Sequence, residues 1–95
     1  MLDVFYEPAF LRDVRRLKRK HYDMTKLNDA LDTLQSQDKS LLSTKYRDHA
    51  LKGNLKAFRE LHIEGDWLLV YQLSRNSLTL TLTRTGSHDD VLRQQ

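Results

Sequence analysis

The chain contains no cysteine, which excludes a disulfide scaffold and any thiolate chemistry. No apolar run approaches the roughly 20 residues that a membrane span needs, so no membrane association is expected. The opening residues Met1-Leu2-Asp3-Val4 place no basic region ahead of an apolar one. A secretory signal is therefore not expected, and the cytoplasm is the expected location. Proline occurs once and glycine three times, so the few that occur are informative. Ninety-five residues, 39% hydrophobic and 31% charged, fit one folded domain over residues 1–95 with a small core.

The charge is +3 at pH 7, which mildly favours an anionic partner. Its distribution says more than its sum. Lys45, Arg47, Lys52, Lys56 and Arg59 crowd one segment against a single acid, Asp48. Arg12, Arg15, Arg16, Lys18, Arg19 and Lys20 form a second cluster.

Residues 2–6 are β-branched and aromatic enough for a short first strand. Pro8 fits the first turn of a helix, with Phe10, Val14 and Leu17 on one stripe and the second basic cluster opposite. Asp23 is a good N-cap for a second helix carrying Met24, Leu27, Ala30, Leu31 and Leu34 to about Gln37. The pair makes a helical hairpin. Residues 38–55 lack periodicity and are expected to form a long functional loop, pinned by Leu41, Leu42 and Leu51.

Three strands are expected over about 56–62, 66–73 and 77–84. In the first hairpin, Ile63-Glu64-Gly65 suits a three-residue loop with Gly65 left-handed. That sets His62 opposite Asp66, with Cβ atoms about 5 Å apart, and Leu61 opposite Trp67. In the second, a two-residue loop Arg75-Asn76 sets Leu73 opposite Leu78, Tyr71 opposite Leu80, Leu69 opposite Leu82 and Trp67 opposite Arg84. The leucines, Trp67 and Tyr71 then share the core face. Glu60, His62, Asp66, Gln72 and the threonines of the last strand lie on the other, together with Phe58, Leu68 and Val70. Ser87, three residues before Asp90, is a capping-box-like start to a short C-terminal helix whose first residue is His88. The fold class is α+β: a short N-terminal strand, a two-helix hairpin packed on a small antiparallel sheet, and a short C-terminal helix.

His49, His62 and His88 each lie at an element end or in the charged loop, so they can converge on the exposed sheet face. Imidazoles, with ordinary pKa about 6.5, move protons near neutral pH. RNA offers a matching reaction, because its 2′-hydroxyl is an internal nucleophile. Cleavage needs a base there, an acid at the leaving 5′-oxygen and cations around phosphorus. Lys52, Lys56 and Arg84 are candidate cations. A metal site formed by His49, His62, Asp66 and His88 is the rival, but no compact spacing such as HxH or HExxH supports it.

The runs Tyr46-Arg47-Asp48-His49-Ala50-Leu51-Lys52-Gly53, Arg59-Glu60-Leu61-His62-Ile63-Glu64-Gly65-Asp66-Trp67-Leu68-Leu69-Val70-Tyr71 and Arg84-Thr85-Gly86-Ser87-His88 together resemble the YafQ-type toxins of the RelE superfamily. The resemblance spans nearly the whole chain. It implies a RelE-like fold and a ribosome-dependent mRNA endoribonuclease, the toxin of a type II toxin–antitoxin pair. Such toxins need no cofactor or metal. They cut translated mRNA in the A site of the 70S ribosome, leaving a cyclic phosphate and a 5′-hydroxyl. The matching catalytic positions are His49, His62, Asp66 and His88, with Trp67 beside them; the family's last histidine is read as general acid, and the resemblance leaves open which residue is base and which is acid here. An aromatic residue usual in the family is replaced by Leu92, a poorer stacking surface for an RNA base. The implied partners are a DinJ-like antitoxin, the ribosome with its mRNA, and operator DNA through the antitoxin complex. The alternative is a relative that only binds, including a ParE-type gyrase inhibitor, although such chains are not expected to keep this histidine set.

Overall fold

Two helices and a five-stranded sheet enclose the main core. The computed structural model describes residues 2–92 and side chains as far as Val91, so the stacking position assigned to Leu92 lies outside the described side chains. Strand β1 (Asp3–Tyr6) leads into α1 (Pro8–Arg19). Pro8 stands where a helix needs no amide hydrogen. Arg16, Lys18 and Arg19 in the last turn suit the negative end of the helix dipole. Phe10 and Leu17 bury the apolar stripe. Helix α2 (Met24–Ser36) is capped by Asp23, whose carboxylate accepts the Thr25 amide at 3.0 Å. It buries Leu27, Ala30 and Leu34. Among the described residues, no helix is long and apolar enough to cross a membrane.

The expected loop 38–55 is more ordered than its composition suggests. Asp38 accepts the Leu41 amide at 3.1 Å and caps α3 (Lys39–Thr44). Leu42 is buried, whereas Leu41 is exposed and does not pin the segment. Strand β2 (His49–Ala50) and a 3-10 turn at Gly53–Leu55 follow. A six-residue helix spans less than two turns, too few for a hydrophobic period to show.

Strands β3 (Arg59–Glu64), β4 (Trp67–Ser74) and β5 (Thr79–Ser87) precede α4 (His88–Leu92). The sheet order is β1-β5-β4-β3-β2, with β1 parallel to β5 and the other pairs antiparallel. Leu61, Trp67, Leu69, Tyr71, Leu80 and Leu82 join the main core, as their alternation predicts.

Both predicted registers need correction. Glu64 pairs with Trp67 around a two-residue loop, Gly65-Asp66, and a bulge at Ile63 restores the phase. Gly65 supplies a positive φ of 49° at the first loop position. His62 consequently faces Leu68, and Leu61 faces Leu69. In the second hairpin Ser74 pairs with Thr79, Leu73 with Leu80 and Tyr71 with Leu82. The loop is longer by two residues, so the faces survive. Leu78 falls into the turn at φ 53° and is exposed rather than core. A second bulge then sets Val70 opposite Arg84 and Trp67 opposite Ser87.

Beyond Leu82, strand β1 no longer covers the edge of β5. The Asp13 carboxylate of α1 takes over there. It accepts the Thr85 amide at 3.0 Å, Arg84 Nε at 2.7 Å, Arg84 Nη2 at 3.2 Å and Arg16 Nη1 at 2.9 Å. Burial alone would raise its pKa. Hydrogen bonds from Arg84, Thr85 and Arg16 outweigh that and hold it below the usual carboxylate value. Asp13 thus fastens the helical layer to the strand that leads to His88.

The other side of the sheet is not bare. Leu68 and Val70 pack with Val91 of α4, and Leu51 and Phe58 border them. Gly86 lets α4 approach: a Cβ there would sit 2.9 Å from Arg16 Nη2 and 3.4 Å from Val91 Cγ1.

Candidate active site

His49 reaches the sheet because its segment is tied down on both sides. The Tyr46 carbonyl accepts the His62 amide at 2.7 Å, and the Asp48 amide donates to the Leu42 carbonyl at 2.8 Å. The Asp48 carboxylate accepts Arg59 Nε and Nη2 at 3.2 and 2.9 Å, and the Tyr71 hydroxyl donates to its other oxygen. Burial first, then the negative Asp48, push the Tyr71 phenol well above its ordinary pKa, so it remains a donor.

In β2 and β3, His49 pairs with Glu60 and Ala50 with Arg59. Alternation turns His49, Glu60 and His62 to the same side. The Glu60 side chain is only 7% exposed, with Oε1 3.1 Å from His49 Nε2 and 3.8 Å from His62 Nε2. The two imidazoles lie nearly parallel, with centroids 5.9 Å apart. Glu60 Oε2 and His62 Nδ1 are buried without a hydrogen-bond partner. A buried unpaired polar atom is costly, so the Glu60–His62 pair is held at an energetic cost.

His49 Nδ1 lies 2.9 Å from the Arg47 carbonyl, which can only accept, so an Nδ1–H donates to it. When the ring is protonated, its Nε2 forms an ion pair with Glu60.

His88 and Asp66 stand at the adjoining end of the sheet. The Asp66 carboxylate accepts the His88 amide at 3.2 Å, and Ser87 Oγ accepts the Asp90 amide at 3.2 Å, so both cap α4. His62, Leu68 and Gly86 occupy one row across β3, β4 and β5, which sets His88 two residues past that row. Asp66 is therefore next to His88 rather than paired with His62. His49, Glu60 and His62 form the described group whose ligand atoms lie within 4.8 Å of one another.

The chain matches, over residues 2–93, the family of bacterial toxins of type II toxin–antitoxin systems called YafQ. It belongs to the YafQ toxin family. The mRNA interferase toxin YafQ of Escherichia coli K12 is 37% identical over 86 residues, which cover 90% of each chain. YafQ in the E. coli DinJ–YafQ complex superposes with a TM-score of 0.85 at 33% identity, covering 97% of this chain and 99% of that one. A metal-bound toxin from Helicobacter pylori gives a TM-score of 0.87 at 38% identity, covering 97% and 100%.

Within this YafQ-type fold, Trp67, Arg84 and Lys56 lie outside the histidine group. Trp67 is 4% exposed, donates Nε1–H to Thr85 Oγ1 at 3.0 Å and meets Tyr22 edge-on at 4.9 Å; it is a core ring, not a stacking surface. Arg84 is held by Asp13 rather than free. Lys56 lines a cleft with Arg59 and Tyr71 on the helix-side face, and Lys52 is exposed at the start of the 3-10 turn. Glu60 was not singled out from sequence. Its signal is two positions before His62 on one strand, which puts both on one face; that it meets His49 depends on β2 pairing.

Proposed function

We propose that this protein is the toxin of a type II pair and an endoribonuclease that cuts translated mRNA in the ribosomal A site, in the cytoplasm. The observation that carries this reading is the meeting of two imidazoles on a buried carboxylate, with a third histidine two residues past their row. The 2′-oxygen attacks phosphorus, and its proton passes to the His49–Glu60–His62 group. The bond to the 5′-oxygen breaks, and His88 supplies that oxygen's proton. The products are a 2′,3′-cyclic phosphate and a 5′-hydroxyl. Glu60 orients the two rings and takes up the charge that develops on them. Asp66 is a positioning residue, setting the start of α4 and with it His88.

The resident antitoxin is of the DinJ kind, since E. coli YafQ is found in complex with DinJ, and operator DNA is bound through that complex. The test is translation in a cell-free extract with mapping of mRNA 5′ ends. The wild-type chain is expected to cut inside translated frames, and His62→Gln, His49→Ala and His88→Ala to cut at least 100-fold more slowly, the usual scale of a lost acid or base. Full cutting by His62→Gln would overturn the assignment.

A second reading rests on the spacing of the His49, Glu60 and His62 ligand atoms, which suits a transition-metal ion. The similar H. pylori toxin is a metal-bound one. A metal held there would occupy the atoms that the acid/base reading needs for protons, so the two readings exclude each other. Cleavage that survives excess chelator supports the acid/base reading, and cleavage abolished by it supports a metalloenzyme.

A further inference from the structure

A second recess lies on the opposite side of the β2–β3 edge from the histidines. It has a volume of about 440 Å³, within the roughly 300–1,000 Å³ of small-ligand pockets. Its cations are Lys39, Lys56 and Arg75, with Arg59 beside Asp48 and the buried Tyr71. Arg59 is paired with Asp48, whereas Lys39, Lys56 and Arg75 enter no ion pair among the described residues. Three uncompensated positive charges therefore surround one neutralised pair. Leu42 and Leu73 add apolar wall.

The recess and the histidine site share strand β2. Ala50 and Arg59, a cross-strand pair, line the recess, while the next pair along, His49 and Glu60, belongs to the histidine site on the other face. Because β2 is two residues long and at the sheet edge, a single strand crossing it can touch both faces. A positively charged groove is one means by which proteins track the backbone of single-stranded nucleic acid. An acidic peptide would gain from the same cations, but it has no use for an apolar wall beside a polar floor of Asp48, Arg59 and Tyr71. A base, with flat faces and polar edges, uses both.

We propose that this recess is a second nucleotide site, holding a nucleotide of the same RNA strand outside the one cleaved, with Lys39, Lys56 and Arg75 on its phosphates. It rests on the nuclease reading for the identity of the strand. Its effect is to extend the grip of the enzyme past the scissile link, so that longer RNA binds more tightly than RNA filling only the histidine site.

The test measures binding of fluorescein-labelled 2′-O-methyl RNA, which lacks the attacking hydroxyl, as an octanucleotide and as a trinucleotide. The full-length Lys39→Gln/Arg75→Gln protein is compared with wild type after circular dichroism confirms folding. The variant is expected to bind the octanucleotide roughly ten-fold more weakly, with the salt slope flattened by about 1.4 for two lost phosphate contacts. Trinucleotide affinity is expected to stay at the wild-type value, and Lys39→Arg/Arg75→Lys to restore octanucleotide binding. Equal octanucleotide affinity and slope in variant and wild type overturns the proposal, as does an octaglutamate peptide that displaces the RNA at equal ionic strength. Mapping of cut mRNA separates the two claims. Wild type that cuts with an unaffected charge variant sinks the recess alone; wild type that never cuts, with the octanucleotide effect intact, sinks the nuclease reading alone.

Discussion

Replacing Asp13 by asparagine tests how the helices are fastened to the strand that carries the catalytic end. Asp13 is 2% exposed and receives the Thr85 amide together with Arg84 and Arg16. Asparagine keeps the shape and one acceptor oxygen. Its amide nitrogen, however, would point donor hydrogens at guanidinium groups that are themselves donors. Removing one partner of a buried pair costs about 3–5 kcal/mol when the other charge is stranded. The Arg84 and Arg16 side chains are 33% and 31% exposed, so water can partly solvate them, and about 2–3 kcal/mol is the expected loss. For a domain this small, that moves the thermal midpoint by roughly 10–20 °C. Urea unfolding at pH 7, followed by tryptophan fluorescence from buried Trp67, measures it. The pH dependence gives an independent check. The folded Asp13 carboxyl lies below the ordinary value of 3.8, so its stabilisation is present above that pH and is lost as pH falls through the lower folded value. The wild type should therefore lose stability more steeply than Asp13→Asn in strong acid. A loss under 1 kcal/mol at pH 7, or parallel acid curves, would refute the fastening role.

Three further outcomes are expected. Tyr71→Phe removes the hydroxyl that donates to Asp48; it should cost about 1 kcal/mol and lower kcat by loosening the segment that bears His49. Equal kcat would separate Asp48 from the placement of His49. Gly86→Ala puts a Cβ against Val91 at a φ of 147°, a strained position for an L-residue; a loss of about 1–3 kcal/mol and altered amide shifts across α4 by NMR are expected, and unshifted α4 resonances would argue against it. Copper(II) should displace protons from the imidazoles and stop cleavage in wild type, while His49→Ala/His62→Ala should show a weaker copper d–d band, and an unchanged band would place the metal elsewhere.

The two faces of the sheet were legible because a strand alternates with period two. The β4–β5 loop is two residues longer than its sequence suggests, and an even shift leaves Leu80 and Leu82 on the core side. Pairing was less legible. Ile63 bulges, and nothing in Ile63-Glu64-Gly65-Asp66 distinguishes a two-residue loop with a bulge from a three-residue loop. That one choice separates Asp66 beside His88 from Asp66 opposite His62. His49 and His62 were identified as residues, and the expected open face held Glu60. The contact among the three needed β2, and two paired residues leave no periodic trace. The bond from Asp13 to Arg84 spans 71 positions, and a lone aspartate among arginines on a helix gives no hint of burial. Asp38 was a readable cap for α3 that the loop-like composition around it obscured.

The two outermost strands of the sheet, β1 and β2, have four and two residues. Another polypeptide seeking to zip onto either rim finds only a few free amides and carbonyls, too few for a lasting ladder. A chaperone, a fibril or a regulator must therefore grip this protein by its side chains, over its broad surfaces, and a mutation that lengthened either rim would expose it to sticking to copies of itself.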